Sequence, residues 1–197
     1  MAKRKTEFAP GCYYHLYNRG AHRRSIFYTD EDYRAFLTRL KGHVGDCHIS
    51  VIAYCLMPNH FHLLVRQNGE RKAGLAVQYA CNGYTQWFNL RHQHEGTLFQ
   101  GRYQSLLIDN GEYLRHLCRY IHANPVKDGF ALQPELWPYS NYLEWIGRRR
   151  GSLVDHAFIA TFFLDSHAYT SFVHSYLAHQ CRLPQGLARH LDELEQT

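Results

Sequence analysis

No run of about eighteen consecutive apolar residues occurs, so no membrane-spanning helix is expected. Residues 1–10 are basic but lack an apolar stretch, which argues against a secretory signal. None of the six cysteines (Cys12, Cys47, Cys55, Cys81, Cys118 and Cys181) forms a Cys-x-x-Cys pair. That excludes a zinc ribbon or finger and leaves reduced, partly buried thiols of a cytoplasmic protein as the expectation. Internal repeats and low-complexity stretches are also missing, which excludes a solenoid or a disordered linker protein.

What is present is enough for a packed core: 45% of the 197 residues are hydrophobic. Charge is unevenly spread. Residues 1–130 carry 17 Lys+Arg against 10 Asp+Glu, a balance of +7, and residues 131–197 carry 5 against 7, a balance of −2. The basic first two thirds suit a polyanion such as nucleic acid, because basic side chains release its counterions on contact.

Alternation of aromatic and polar residues predicts a strand over 13–18, ended by Asn18-Arg19-Gly20. Thr29 and Asp30 can start a helix that buries Tyr33, Phe36, Leu37 and Leu40. Two strands follow, over 49–56 and 60–65, interrupted by Pro58-Asn59; they either pair as a hairpin or continue each other around a bend. A helix is expected over 73–90, one or two strands over 97–109, and a helix over 112–124 that Pro125 ends. This order predicts an α+β fold with helices on one face of a sheet. After Gly129 the composition shifts. Residues 131–197, with helices expected near 154–164 and 166–180, read as a C-terminal extension to a domain spanning 1–130.

His60 and His62 lie two apart on a strand, so both imidazoles leave the same face, opposite Phe61, Leu63 and Val65. Such a pair can bind one divalent ion. With 15 histidines in the chain, it also fits surface or hydrogen-bonded side chains. Tyr120 and Asn124 lie four apart, on one helix face beside the apolar stripe of Leu114, Leu117 and Ile121. Alone, Tyr120 also fits an ordinary tyrosine at a core edge.

Read together, these segments are more specific. Residues 56–65, LMPNHFHLLV, resemble the His-hydrophobic-His strand of the HUH nuclease superfamily. Residues 119–129, RYIHANPVKDG, resemble the tyrosine helix of its single-tyrosine transposases. The similarity is greatest to the REP-associated tyrosine transposases, relatives of the IS200/IS605 transposases, and spans about residues 11–142. Tyr14 to Gly20, Phe99 to Ser105 and Trp137 to Ser140 are similar to further family segments in the same order. The resemblance implies a ferredoxin-like antiparallel sheet and metal-dependent cutting and rejoining of single-stranded DNA at a hairpin. Tyr120 would be the nucleophile, forming a 5′-phosphotyrosine, and His60, His62 and Asn124 would hold Mg²⁺ or Mn²⁺.

His116 and His122 can relay a proton or simply occupy the helix surface. Arg19, Arg23, Arg24 and Arg102 are candidate DNA contacts. Lys127 stands where the family commonly has arginine, offering phosphate a point charge in place of a fork. Lys3-Arg4-Lys5 fits either an arm over DNA or a solvated tail. The protein would act as a monomer or homodimer. Three other readings are a catalytically silent hairpin-binding regulator, a hydrolytic metallonuclease with water as nucleophile and a non-enzymatic helical adaptor.

Overall fold

The computed structural model describes residues 6–162 and 165–196. Lys3-Arg4-Lys5 therefore lies outside the described residues. Four strands, β1 (Tyr13–Arg19), β2 (Ile49–Met57), β3 (His60–Gln67) and β4 (Gln104–Ile108), form one antiparallel sheet in the order β2-β3-β1-β4. Helix α1 (Asp30–Val44) joins β1 to β2, and α2 (Gly74–His92) joins β3 to β4. The two crossovers are interleaved, which is the ferredoxin-like arrangement. Pro58 and Asn59 make the tight link of a β2–β3 hairpin, with Met57 opposite His60, which settles hairpin against bend.

The pleat decides what lies where. Phe61 points to one face and meets Phe36 of α1; its neighbour His62 points to the other and meets Tyr120 of α3 (Gly111–Lys127). Helices α1 and α2 cover the first face, as the sequence predicts. Helix α3 takes the second, so helices lie on both faces of the sheet, because both faces carry buried side chains. The start of α1 is fixed by Asp32, whose carboxylate accepts the Thr29 and Tyr28 backbone N–H groups at 2.8 and 2.7 Å. The start of α3 is fixed by the Asn110 side chain, which accepts the Glu112 N–H at 2.7 Å.

Pro125 does not end α3. Its missing N–H costs one bond in the last turn only, and the chain continues to Lys127, with Asp128 N–H donating to the Asn124 carbonyl at 3.0 Å. The stop comes at Gly129, whose φ of +75° suits a residue without Cβ. This added turn carries Lys127 onto the face of Tyr120 and Asn124.

Beyond residue 130 the chain runs along the outer edge of β2. Leu56 N–H donates to the Tyr139 carbonyl at 3.0 Å, and Asp155 N–H to the Val51 carbonyl at 2.9 Å. An edge strand otherwise presents unpaired backbone groups, and this segment pairs them. The short α4 (Tyr142–Trp145) and the helices α5 (His156–Phe162), α6 (Ser166–Leu177) and α7 (Gln185–Gln196) follow. Their Tyr142, Trp145, Tyr169, Val173, Leu187 and Leu191 share one apolar core with the sheet. Helix α7 has no counterpart in the sequence reading.

Asn141 joins the two parts of the chain. It is fully buried; its Oδ1 accepts the Tyr54 backbone N–H at 2.6 Å and faces His122 Nε2 at 2.9 Å, and its Nδ2 donates to the Ile52 carbonyl at 2.8 Å. Substituting Asn141→Ala takes the side-chain partner from the Tyr54 N–H and from His122 Nε2, while the Ile52 carbonyl keeps the Trp145 indole N–H at 3.1 Å. The expected loss is about 2–5 kcal/mol of stability, read as a lower urea midpoint. A midpoint within error of the parent protein would mean that water or repacking replaces the amide.

Candidate active site

The second sheet face gathers side chains that are distant in sequence. On β3, His60 and His62 are buried side by side. On β1, Tyr17 pairs with His62 and Arg19 with His60, and the Tyr17 ring lies 5.0 Å from that of His62. Tyr120, Asn124 and Lys127 sit at i, i+4 and i+7 of α3 and therefore share one stripe facing this group. The Tyr120 ring stands edge-on to His62 at 5.4 Å, and the Lys127 ammonium lies 4.6 Å from the centre of the Tyr120 ring. The face thus combines an aromatic hydroxyl, two imidazoles, an amide and a cation.

Hydrogen bonds set the lone pairs. His60 Nδ1 is 2.7 Å from Asn59 Oδ1, and His60 Nε2 is 3.3 Å from Asn124 Oδ1. A neutral imidazole has one N–H. When Nδ1–H donates to Asn59, the Nε2 lone pair faces the Asn124 oxygen, an opposition of two acceptors that a cation between them relieves. His62 Nδ1 is 3.0 Å from His15 Nε2, and His62 Nε2 is buried with no hydrogen-bond partner among the described residues. Donation from His62 Nδ1–H to His15 Nε2 leaves the His62 Nε2 lone pair for a ligand, with His15 Nδ1 buried and without a partner among the described residues.

Among the described residues, no group of three or more His, Cys, Asp and Glu side chains is placed to hold an ion. Beside the two imidazoles, Asn124 presents an amide oxygen on this face. Two imidazoles and an amide suit a divalent ion that keeps open positions for other oxygens.

Burial keeps these rings neutral. It pushes His60 down to about 4, with the nearby Arg19 charge adding to the effect and the Asn124 hydrogen bond opposing it. Burial first, then His60, His15 and Lys127, hold His62 well below the usual histidine range. Burial likewise pushes His15 down to about 3 and His122 to about 4. Unfolded histidine titrates near 6.5. Between that value and about 4 the unfolded chain binds more protons, so stability rises with pH across the window and is lost on acidification. Thermal melts in EDTA from pH 8 to pH 4 should show a melting temperature that falls below about pH 6.5. A flat profile down to pH 4.5 would mean that these rings are not buried in solution.

His122 is not a surface residue. Its two ring nitrogens meet Tyr169 Oη and Asn141 Oδ1, which leaves neither for a relay to Tyr120. His116 lies against Arg119, with its Nδ1 2.7 Å from Nη2. The structure thus gives both histidines packing roles. His15 and Asn59 are the residues that sequence reasoning passed over. Their signal was weak: His15 shares the alternate face of β1 with Tyr17 and Arg19, but its pairing with His62 depends on the β1–β3 register.

The candidate DNA contacts divide. Arg19 and Arg102 line one cavity of about 200 Å³ with Tyr17, Asn18, Gln100, Gly101 and Gln104. Arg23 lines a neighbouring cleft with His22 and Gln100, and Arg24 is exposed on the same loop. Gly20 makes this loop possible, because a Cβ there would fall 2.0 Å from the Arg24 carbonyl oxygen. Lys127 lies over the Tyr120 ring.

Comparison with known proteins agrees with this layout. A Haemophilus influenzae protein that carries the name REP-associated tyrosine transposase is 30% identical over 102 residues. The match covers 46% of this chain and 57% of the relative, so the chain spans little more than half of that protein's length. A solved REP-associated tyrosine transposase, bound to a REP hairpin, shares the fold: TM-score 0.63 and 21% identity, over 79% of this chain and 94% of that one. The model of the IS200-like transposases matches residues 9–124, which contain the whole sheet, both histidines, Tyr120 and Asn124, and the chain belongs to that family.

Proposed function

We propose that this protein is a metal-dependent endonuclease and strand transferase acting on single-stranded DNA at hairpins, through a covalent 5′-phosphotyrosine on Tyr120. One observation carries the reading: Tyr120 stands edge-on to His62, whose inward ring nitrogen has no other partner. The binding of a REP hairpin by the structural relative supports the substrate class.

His60, His62 and Asn124 would hold Mg²⁺ or Mn²⁺, which when bound polarises a phosphate and offsets charge built up on it. The chain's own groups do the rest. The phenol oxygen of Tyr120 attacks phosphorus; the O–P bond to tyrosine forms as the bond to the 3′ oxygen breaks. The proton lost by the phenol is balanced by the one gained at the released 3′-OH. Phosphodiester energy is kept in the adduct, so attack by another 3′-OH reverses the step and joins a new strand. Lys127 brings a positive charge to the Tyr120 ring, its ammonium 4.6 Å from the ring centre. Arg19, Arg23, Arg24 and Arg102 would bind phosphates along the strand.

Labelled hairpin DNAs from the flanks of the gene, incubated with Mn²⁺ and run on a denaturing gel, test this. A labelled band at the mass of the protein, absent with EDTA, is expected. Cut DNA with no such band would overturn the tyrosine assignment. A second reading, hairpin binding without cleavage, draws on the burial of Tyr120, which is 1% exposed; binding with neither band nor cut product would establish it.

A further inference from the structure

Register sets what stands beside the histidine pair. Antiparallel partners share a face, so His62 of β3, Tyr17 of β1 and Gln104 of β4 form one row across the sheet. His60 and Arg19 form the next row. Tyr17 therefore belongs to the strand between the histidines and β4. Its ring lies 5.0 Å from that of His62 and 5.8 Å from that of His60. It is also a wall of the cavity of about 200 Å³ that Arg19, Gln100 and Arg102 line. Tyr17 thus stands where the histidine pair meets the basic cavity, as a second phenol at this site.

The two phenols reach the histidines from different elements. Tyr120 comes from α3, and its ring stands at 88° to that of His62. Tyr17 comes from the sheet, on the strand beside His62, with its ring at 41°. In-line displacement puts the attacking and the leaving oxygen on opposite sides of phosphorus. With Tyr120 attacking from the helix, the 3′ oxygen departs on the side of the sheet. Charge develops on that oxygen, and a hydrogen-bond donor placed there lowers the barrier. The Asn124 oxygen and an imidazole lone pair are acceptors and cannot serve. Lys127 lies over the Tyr120 ring, on the attacking side, and Arg19 stands in the His60 row. A phenol O–H in the His62 row is a donor of the required kind.

We infer that Tyr17 is a second catalytic residue, whose hydroxyl donates a hydrogen bond to the 3′ oxygen as that oxygen leaves. The inference rests on the proposed attack by Tyr120. In the step, the bond from Tyr120 oxygen to phosphorus forms, and the bond from phosphorus to the 3′ oxygen breaks with its electron pair going to that oxygen. The proton released by Tyr120 balances the one on the product 3′-OH, and Tyr17 ends the step as it began. Tyr17 is buried, and a fixed donor acts most strongly where water is excluded. In the joining direction the same hydroxyl would orient the incoming 3′-OH.

The test uses the full chain, Tyr17→Phe and two hairpin DNAs, with the cleavage point first mapped by the parent protein in Mn²⁺. One DNA is unmodified; the other carries sulfur in place of the bridging 3′ oxygen at that point. A thiol ionises near about 8.5, so a thiolate leaves with little help from a donor. Adduct formation is followed in single turnover. Tyr17→Phe should be about 10²-fold slower than the parent on the unmodified DNA and within about threefold of it on the sulfur DNA. Activity on the sulfur DNA also shows that the variant is folded, and a thermal melt checks this independently. The parent rate on both DNAs, or equal slowing on both by a folded variant, overturns the inference and leaves Tyr17 as packing for His62. If the parent forms no adduct with either DNA, the proposed attack by Tyr120 fails and takes the inference with it.

Discussion

Replacing Tyr120 by phenylalanine is expected to remove the protein–DNA adduct entirely and to lower strand cleavage at least about 10³-fold, the equivalent of about 4 kcal/mol of transition-state stabilisation. The substitution deletes one oxygen and leaves the ring. The edge-on contact with His62 and the Lys127 ammonium over the ring both survive it, because neither depends on the hydroxyl. Hairpin affinity should therefore stay within about threefold, since the phosphate and base contacts lie elsewhere. Stability should move by about 1 kcal/mol at most, the scale of one hydrogen bond. The measurement is single-turnover cleavage of labelled hairpin beside a filter-binding assay on the same samples. Cleavage at the parent rate in Tyr120→Phe would show that water is the nucleophile and that the tyrosine only packs. Loss of binding along with cleavage would place the hydroxyl in DNA recognition rather than in chemistry.

The sheet and the first three long helices were legible because each rests on a local pattern. The 13–18 alternation, the Thr29-Asp30 start and the Pro58-Asn59 link are encoded within a few residues and reappear as β1, α1 and the β2–β3 turn. The same-face placement of His60 and His62 follows from strand geometry alone, and that of Tyr120 and Asn124 from helix geometry alone. What local pattern cannot supply is register. That His15 supports His62, and that Arg19 lies opposite His60, depend on how β1 aligns with β3. Pro125 does not mark the end of α3, because near a helix end proline costs only one bond. His122 reads as a helix-surface histidine from spacing, yet lies in the core, because the chain beyond residue 130 brings Asn141 and Tyr169 against it. That contact belongs to tertiary packing between distant segments.

The remaining large effect concerns His62 and its support. His62→Ala removes a ring whose Nε2 has no hydrogen-bond partner among the described residues. If that nitrogen is a ligand, the variant loses a divalent ion's contribution, worth several kcal/mol, and cleavage should fall about 10³-fold or more with no recovery at high Mn²⁺. His15 acts one step away. It faces His62 Nδ1 at 3.0 Å, and when it accepts the Nδ1–H the His62 Nε2 lone pair is left for a ligand. His15→Ala should therefore raise the Mn²⁺ concentration for half-maximal cleavage about 10–100-fold, with much of the maximal rate returning at saturation. The split between an unrecoverable rate and a shifted metal requirement separates ligand from support, which a general loss of folding would not reproduce. Mn²⁺ binding measured by electron paramagnetic resonance gives the same contrast without DNA: absent in His62→Ala and weakened in His15→Ala. Full cleavage by the parent protein in excess EDTA would refute the metal site, and the two histidines would then have to act as neutral hydrogen-bond donors to the phosphate.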